Sequence, residues 1–213
     1  MEQRIQNVYC IGRNYKLHAL ELGNEVPSEP MVFMKPSHAV SLITEETELK
    51  LPLHKGSVHH ELEIVLRIGR RVTPGMTADE AVDSYALGLD FTLRDVQDVL
   101  KKKGQPWLAA KGVLHSGPVT AFRAYPGTET VLQSSFSLLR NGNVVQEGSA
   151  QQMIFSFDQL IAYIAAHYGL DEGDVIFTGT PAGVGPVDEG DLLELQWNGE
   201  TWGACHIQAT GAE

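Results

Sequence analysis

The chain has 213 residues, enough for one large hydrophobic core, and its 43% hydrophobic and 20% charged content is that of an ordinary globular protein. Sixteen Lys and Arg against 27 Asp and Glu give a net charge of −11, which excludes a surface built for nucleic-acid phosphates. The only cysteines, Cys10 and Cys205, stand far apart, so neither a disulfide framework nor a thiolate zinc site is signalled.

In chain order, MEQRIQNVYCIGRNY lacks the apolar core of a signal peptide, and no run reaches the roughly 18 apolar residues of a membrane helix; a cytoplasmic protein is expected. NVYCI reads as a strand, and NYKLHALELGN as a short helix ending at Gly23 and Asn24. EPMVFM and ELEIVLRIG follow as strands. TADEAVDSY is expected to be a helix capped by Thr77, YALGLDFTL a strand, and VQDVLKKKG a helix capped by Asp95, whose final lysines suit the negative end of the helix dipole. FSLLRNGNVVQE contains Asn141 and Gly142, a hairpin signal repeated at Asn198 and Gly199 between DLLELQW and TWGACHI. SFDQLIAYIAAHYG places Leu160, Ile161, Ile164 and Ala165 at core spacing and stops at Gly169. DEGD occurs at 171–174 and 188–191, each time before an apolar strand, and reads as a recurring turn. The sum is a β-rich α+β fold in a single domain, 1–213, with helices around or beside mixed sheets.

The stretch VHHELEIVL at 58–66 carries the chemistry. As a strand it presents Leu62, Ile64 and Leu66 on one face and His59, Glu61 and Glu63 on the other. Two carboxylates about 6 to 7 Å apart along a strand repel, and partly buried ones take up protons unless a positive charge neutralises them. On periodicity, two readings stand: a solvated charged face, or a face closed over a cation. Asp90, flanked on its face by Ala86 and Gly88, offers a third oxygen ligand. Three carboxylates without a thiolate suit Mg²⁺ or Mn²⁺. For His59 and His60 a hydrogen-bonding role is favoured over ligation.

His18 and Glu21 share a helix face, the spacing of a carboxylate-held proton carrier or of a surface ion pair. Lys111, in WLAAKG, is read either as a desolvated cation for an anionic substrate or as a surface lysine. TGTPAGVGP at 178–186 offers hydroxyls and N–H groups at a turn but lacks the ending of a P-loop.

In order, IGRNYKLHALELGNEVPSEPMVFMKPS, HHELEIV, LDFTLRDVQ, KKKGQPWLAAK, MIFSF and GDVIFTGTPAGVGPV span nearly the whole chain. Together they resemble the fumarylacetoacetate hydrolase family, most closely its short acylpyruvate hydrolase and oxaloacetate decarboxylase branch. The resemblance implies a mixed β-roll or sandwich with peripheral helices, a homodimer, and a mobile lid around 13–26. It implies Mg²⁺ or Mn²⁺ on Glu61, Glu63 and Asp90, and a water-activating pair of His18 and Glu21 with Lys111 as a further catalytic group. Arg13, Asn14, Arg94, Gln97 and Thr180 are implied as substrate-binding groups. The implied reaction is hydrolysis of a C–C bond in small 2,4-dioxo acids, such as acetylpyruvate or fumarylpyruvate, to pyruvate and a carboxylic acid. Oxaloacetate decarboxylation or 2-oxo acid tautomerisation through the same enolate stand second, and a metal-containing binding protein third. KGVLHSGPV departs from the family pattern, which puts Val113 and His115 forward as residues of the pocket wall.

Overall fold

The computed structural model describes residues 4–16, 27–44 and 47–211. His18, Glu21 and most of the expected lid and first helix lie outside the described residues. Among the described residues no helix is long and apolar enough to cross a membrane.

An eight-stranded mixed sheet forms the centre. Its order is Met31–Lys35, Val8–Gly12, Val175–Phe177, Leu62–Ile68, Val82–Leu89, Val119–Thr120 and Leu42–Ile43, with Arg123–Ala124 pairing on Val82–Leu89. A five-stranded sheet runs Asn143–Gly148, Phe136–Arg140, Leu192–Trp197, Glu200–Ala209 and Thr47–Leu51. A three-stranded sheet joins Gly185–Pro186, Val58–His60 and Thr92–Leu93. This is the β-rich α+β architecture expected.

Both hairpins form where Asn-Gly places them. Asn141 and Gly142 have φ of 52° and 78°, and Asn198 and Gly199 49° and 80°, the two left-handed residues that let a tight turn follow the twist of its strands. Leu62, Ile64 and Leu66 face the larger core with no exposed surface. That core is completed by the five-stranded sheet, whose Trp197 and Trp202 rings each meet Tyr85 edge-on at 5.2 Å between centroids. Val65, Ala86, Phe177 and their neighbours form a second apolar cluster.

Helix Phe157–His167 begins at Ser156, whose hydroxyl accepts from the Gln159 N–H while Gln159 returns a bond to the Ser156 N–H. Its Asp158 reaches across to accept from the Ala78 N–H at 2.6 Å. Two helix expectations need correction. TADEAVDSY is helical only over Ala78–Ala81, because from Val82 the chain joins the central sheet opposite Ile68. Asp95 is not the cap of Arg94–Lys103; that helix starts a residue earlier, and the Asp95 carboxylate accepts from the Ser57 N–H at 2.8 Å.

Candidate active site

The two stretches that carry the acids each change sheets at a one-residue or two-residue break. Val58–His60 lies in the three-stranded sheet and Leu62–Ile68 in the central one, with Glu61 between them. Val82–Leu89 and Thr92–Leu93 are related in the same way across Asp90 and Phe91. The Asp90 N–H donates to the Glu61 carbonyl at 2.8 Å, and Glu63 pairs with Gly88, so backbone pairing brings the three acids together. Glu61, Glu63 and Asp90 are 6%, 1% and 1% exposed and offer oxygens all within 4.8 Å of one another. The solvated-face reading is therefore excluded. The small residues beside Asp90 serve another end: a Cβ on Gly88 would lie 2.7 Å from Phe177 and from Val65, so Gly88 makes room for core side chains and not for an ion.

Cations hold the acids. Lys111, 3% exposed, donates to Glu61 Oε2 at 2.9 Å and to Asp90 Oδ2 at 2.7 Å. Burial alone would lower its pKa, but the two carboxylates and their hydrogen bonds outweigh that and hold the ammonium above its ordinary range. Arg94 bonds Glu61 Oε1 at 2.5 Å and Gln97 Oε1 at 2.7 Å, and the Thr92 hydroxyl donates to the same Glu61 oxygen. Glu63 is held differently. It accepts from the Gly179 N–H at 2.7 Å, and among the described residues it joins no ion pair within 4 Å. Burial pushes its pKa well above the ordinary value, and the charges of Asp90 and Glu61 push the same way.

Sequence reasoning missed Lys35. Its side chain is fully buried, and its ammonium lies 2.7 Å from Asp90 Oδ1 while donating to the Phe91 and Lys111 carbonyls and the Ser116 hydroxyl. Gln146 was missed too. Its carbonyl oxygen accepts from the Leu62 N–H and meets His60 Nδ1, and its amide donates to the Thr180 hydroxyl and the Pro181 carbonyl, tying the break at Glu61 to the 178–186 loop. His60 and His59, which meets the Ser57 hydroxyl, act as hydrogen-bonding groups; burial lowers the pKa of both.

A pocket of about 440 Å³, including its open mouth, lies over the acids, walled by Arg13, Phe33, Arg94, Gln97, Lys101, Trp107, Lys111 and Thr180. Of the expected substrate-binding groups, Arg13, Arg94, Gln97 and Thr180 thus reach it. Asn14 does not: it is fully buried, donates to the carbonyls of Phe155 and Thr178 and accepts from the Phe155 N–H, so it pins loops behind the pocket. Val113 and His115 are absent from the described wall. Gly179, at φ 103°, lets its loop pass Asn14, where a Cβ would come within 2.7 Å, and so aims its N–H at Glu63.

The donor set fits a divalent cation. All three ligands are hard oxygens, Glu63 lacks a cation of its own among the described residues, and Asp90 Oδ1 is buried without hydrogen-bond geometry to any donor, Lys35 included.

The family model for the fumarylacetoacetate (FAA) hydrolase C-terminal domain matches residues 7–208. The chain is 42% identical over 196 residues to the human mitochondrial oxaloacetate tautomerase FAHD1, covering 91% of this chain and 88% of that one. It is 37% identical to the mitochondrial oxaloacetate decarboxylase of Dictyostelium discoideum over 191 residues, 89% of this chain and 87% of that one. Among solved structures, fumarylpyruvate hydrolase from Pseudomonas aeruginosa in complex with Mn²⁺ and pyruvate superposes with a TM-score of 0.87 at 32% identity, over 97% of this chain and 91% of that one. Domain match, sequence and fold converge, and the chain belongs to the fumarylacetoacetate hydrolase family.

Proposed function

We propose that the protein is a divalent-metal-dependent oxaloacetate tautomerase, interconverting the enol and keto forms of this 2-oxo diacid. The observation that carries the reading is the buried group Glu61, Glu63 and Asp90 with the Lys111 ammonium beside it, at the floor of a pocket walled by further cations. Relatives named for oxaloacetate chemistry favour tautomerisation over the acylpyruvate hydrolysis that the resemblance puts first.

Glu61, Glu63 and Asp90 would hold Mg²⁺ or Mn²⁺, and the ion would supply positive charge toward the substrate's oxygen atoms and make the C3 hydrogens more acidic. Lys111, kept charged by Asp90 and Glu61, stabilises negative charge on the 2-oxo oxygen and does not serve as the base. Arg94, braced by Gln97, and the Thr180 hydroxyl orient the substrate. In one direction a proton leaves C3 and another reaches the 2-oxo oxygen; the reverse restores the ketone, and no water is consumed. The described wall contains no histidine and no carboxylate beyond the three acids. The family resemblance implies His18 and Glu21 as the proton-carrying pair, and both lie outside the described residues.

Decarboxylation is the second reading, favoured by the Dictyostelium relative's name. Loss of CO₂ from C4 leaves the enolate of pyruvate, its negative charge on the same 2-oxo oxygen, and needs only a proton at C3 afterwards. The test follows the ultraviolet absorbance of enol oxaloacetate with EDTA-treated protein, then with Mg²⁺ or Mn²⁺ restored, while pyruvate is assayed in parallel from oxaloacetate and acetylpyruvate. Metal-dependent loss of enol absorbance without pyruvate is the expected result. Pyruvate from oxaloacetate at the same rate would establish the decarboxylase, and pyruvate from acetylpyruvate alone would return the assignment to hydrolysis.

A further inference from the structure

Two lysines stand on one aromatic wall of the pocket and differ in what they meet. Phe33 and Trp107 pack with ring centroids 5.7 Å apart. The Lys111 ammonium sits 5.0 Å from the Phe33 centroid and is consumed by Glu61 and Asp90 at the buried floor. The Lys101 ammonium sits 5.5 Å from the Trp107 centroid, at the exposed outer end of the same wall. Among the described residues no carboxylate pairs with Lys101 within 4 Å, nor with Arg13, which also lines the mouth. The pocket wall thus carries four cations, Arg13, Arg94, Lys101 and Lys111, against three carboxylates, and the surplus lies at the mouth. A divalent ion on the floor would enlarge that surplus, so a second negative charge on the ligand is what the mouth lacks.

We infer that Lys101, seated on Trp107 and helped by Arg13, is the receptor for the outer carboxylate of a short dicarboxylic acid whose 2-oxo end faces the floor, and that it selects diacids over 2-oxo monoacids. The aromatic face fixes a flexible ammonium over the mouth at little cost in solvation. Burial of the Lys101 stem lowers its pKa, and Arg94 and Arg13 push the same way against Asp98 and Glu61. This inference deepens the proposed oxaloacetate reaction and rests on it for the orientation of the ligand.

The test uses Mn²⁺-loaded protein and two ligands matched in length. One is 3,3-difluoro-oxaloacetate, which has no C3 hydrogen to give up; the other is 2-oxobutanoate, which has a methyl group where the outer carboxylate would be. Binding is measured by calorimetry for the wild type, Lys101→Met and Lys101→Arg. The expected result is a wild-type preference for the diacid that Lys101→Met reduces by at least about tenfold, the size of one charge-assisted hydrogen bond, and that Lys101→Arg largely keeps. Affinity for 2-oxobutanoate changes by less than about twofold. Equal losses for both ligands, no loss for either, or a wild type without preference for the diacid overturns the inference. Enol–keto interconversion is measured on the same samples. A Lys101-dependent preference in a protein without that activity removes the reaction and keeps the receptor; activity without the preference removes the receptor alone.

Discussion

Closely spaced acids occur in two kinds of place in this molecule, and their fates differ. In the DEGD turns, Asp174 and Asp191 are spent on the chain itself. Asp174 accepts from the Asn7 backbone and side chain and from the Asp171 N–H, and Asp191 from the Asp188 N–H and the Asn141 amide, with Arg140 at 2.7 Å. At the pocket floor, Glu61 and Asp90 are met by ammonium and guanidinium groups, and Glu63 by one backbone N–H. Spacing of acids along the chain does not distinguish a structural turn from an ion site; convergence does. Each turn aspartate accepts from the backbone N–H three residues before it and is completed by groups brought in from elsewhere, whereas at the floor three carboxylates converge and Glu63 among them joins no ion pair within 4 Å among the described residues.

The largest expected effect tests the floor. Glu63→Gln should weaken Mn²⁺ binding by more than the roughly 10- to 100-fold typical of groups that merely orient a ligand, as read by titration in electron paramagnetic resonance. Unchanged Mn²⁺ affinity would erase the distinction between floor and turn. Lys35→Met leaves Asp90 short of a buried partner and should cost about 3–5 kcal/mol in urea unfolding. A change below about 1 kcal/mol would mean that Lys111 alone holds Asp90.

Asp191→Asn, in the turns, should cost about 1.5–3 kcal/mol and leave Mn²⁺ binding untouched. Its pH dependence sharpens the contrast. Burial would raise the Asp191 pKa, but the Asp188 N–H, Asn141 and Arg140 outweigh it and hold the value below the ordinary range. Its stabilisation is therefore complete above about pH 4 and lost as pH falls through the depressed value. The gap between wild type and Asp191→Asn should close over that acid window, and a gap that persists below it would assign the loss to packing. The smallest effect is expected for Asp95→Ala, which removes one exposed bond to the Ser57 N–H and should cost about 0.5–1.5 kcal/mol.

How much could be read beforehand depended on the distance over which each group finds its partners. The hairpins at Asn141 and Asn198 were legible because their requirements are met within four residues. The acids at Glu61, Glu63 and Asp90 were legible because like charges in an apolar strand demand an explanation. Val82 onward was misread as helix because pairing with Ile68 overrode a helical local pattern. Lys35 gave no signal, since a lysine after a strand is ordinarily exposed and its partners lie 55 to 81 positions away. The position of Lys101 shows a helix end, which it is; Trp107, six positions on, makes it part of the pocket wall as well.

The junction at Glu61 and Asp90 has a consequence for anyone wishing to transplant this ion site. The acids do not ride on an uninterrupted ladder, since the chain leaves one sheet and enters another at those residues, with the Asp90 N–H to Glu61 carbonyl bond as the rivet. Copying three carboxylates onto a flat hairpin would reproduce the list of ligands and lose their convergence. A working graft needs the bend, its rivet, and a buried lysine beneath it.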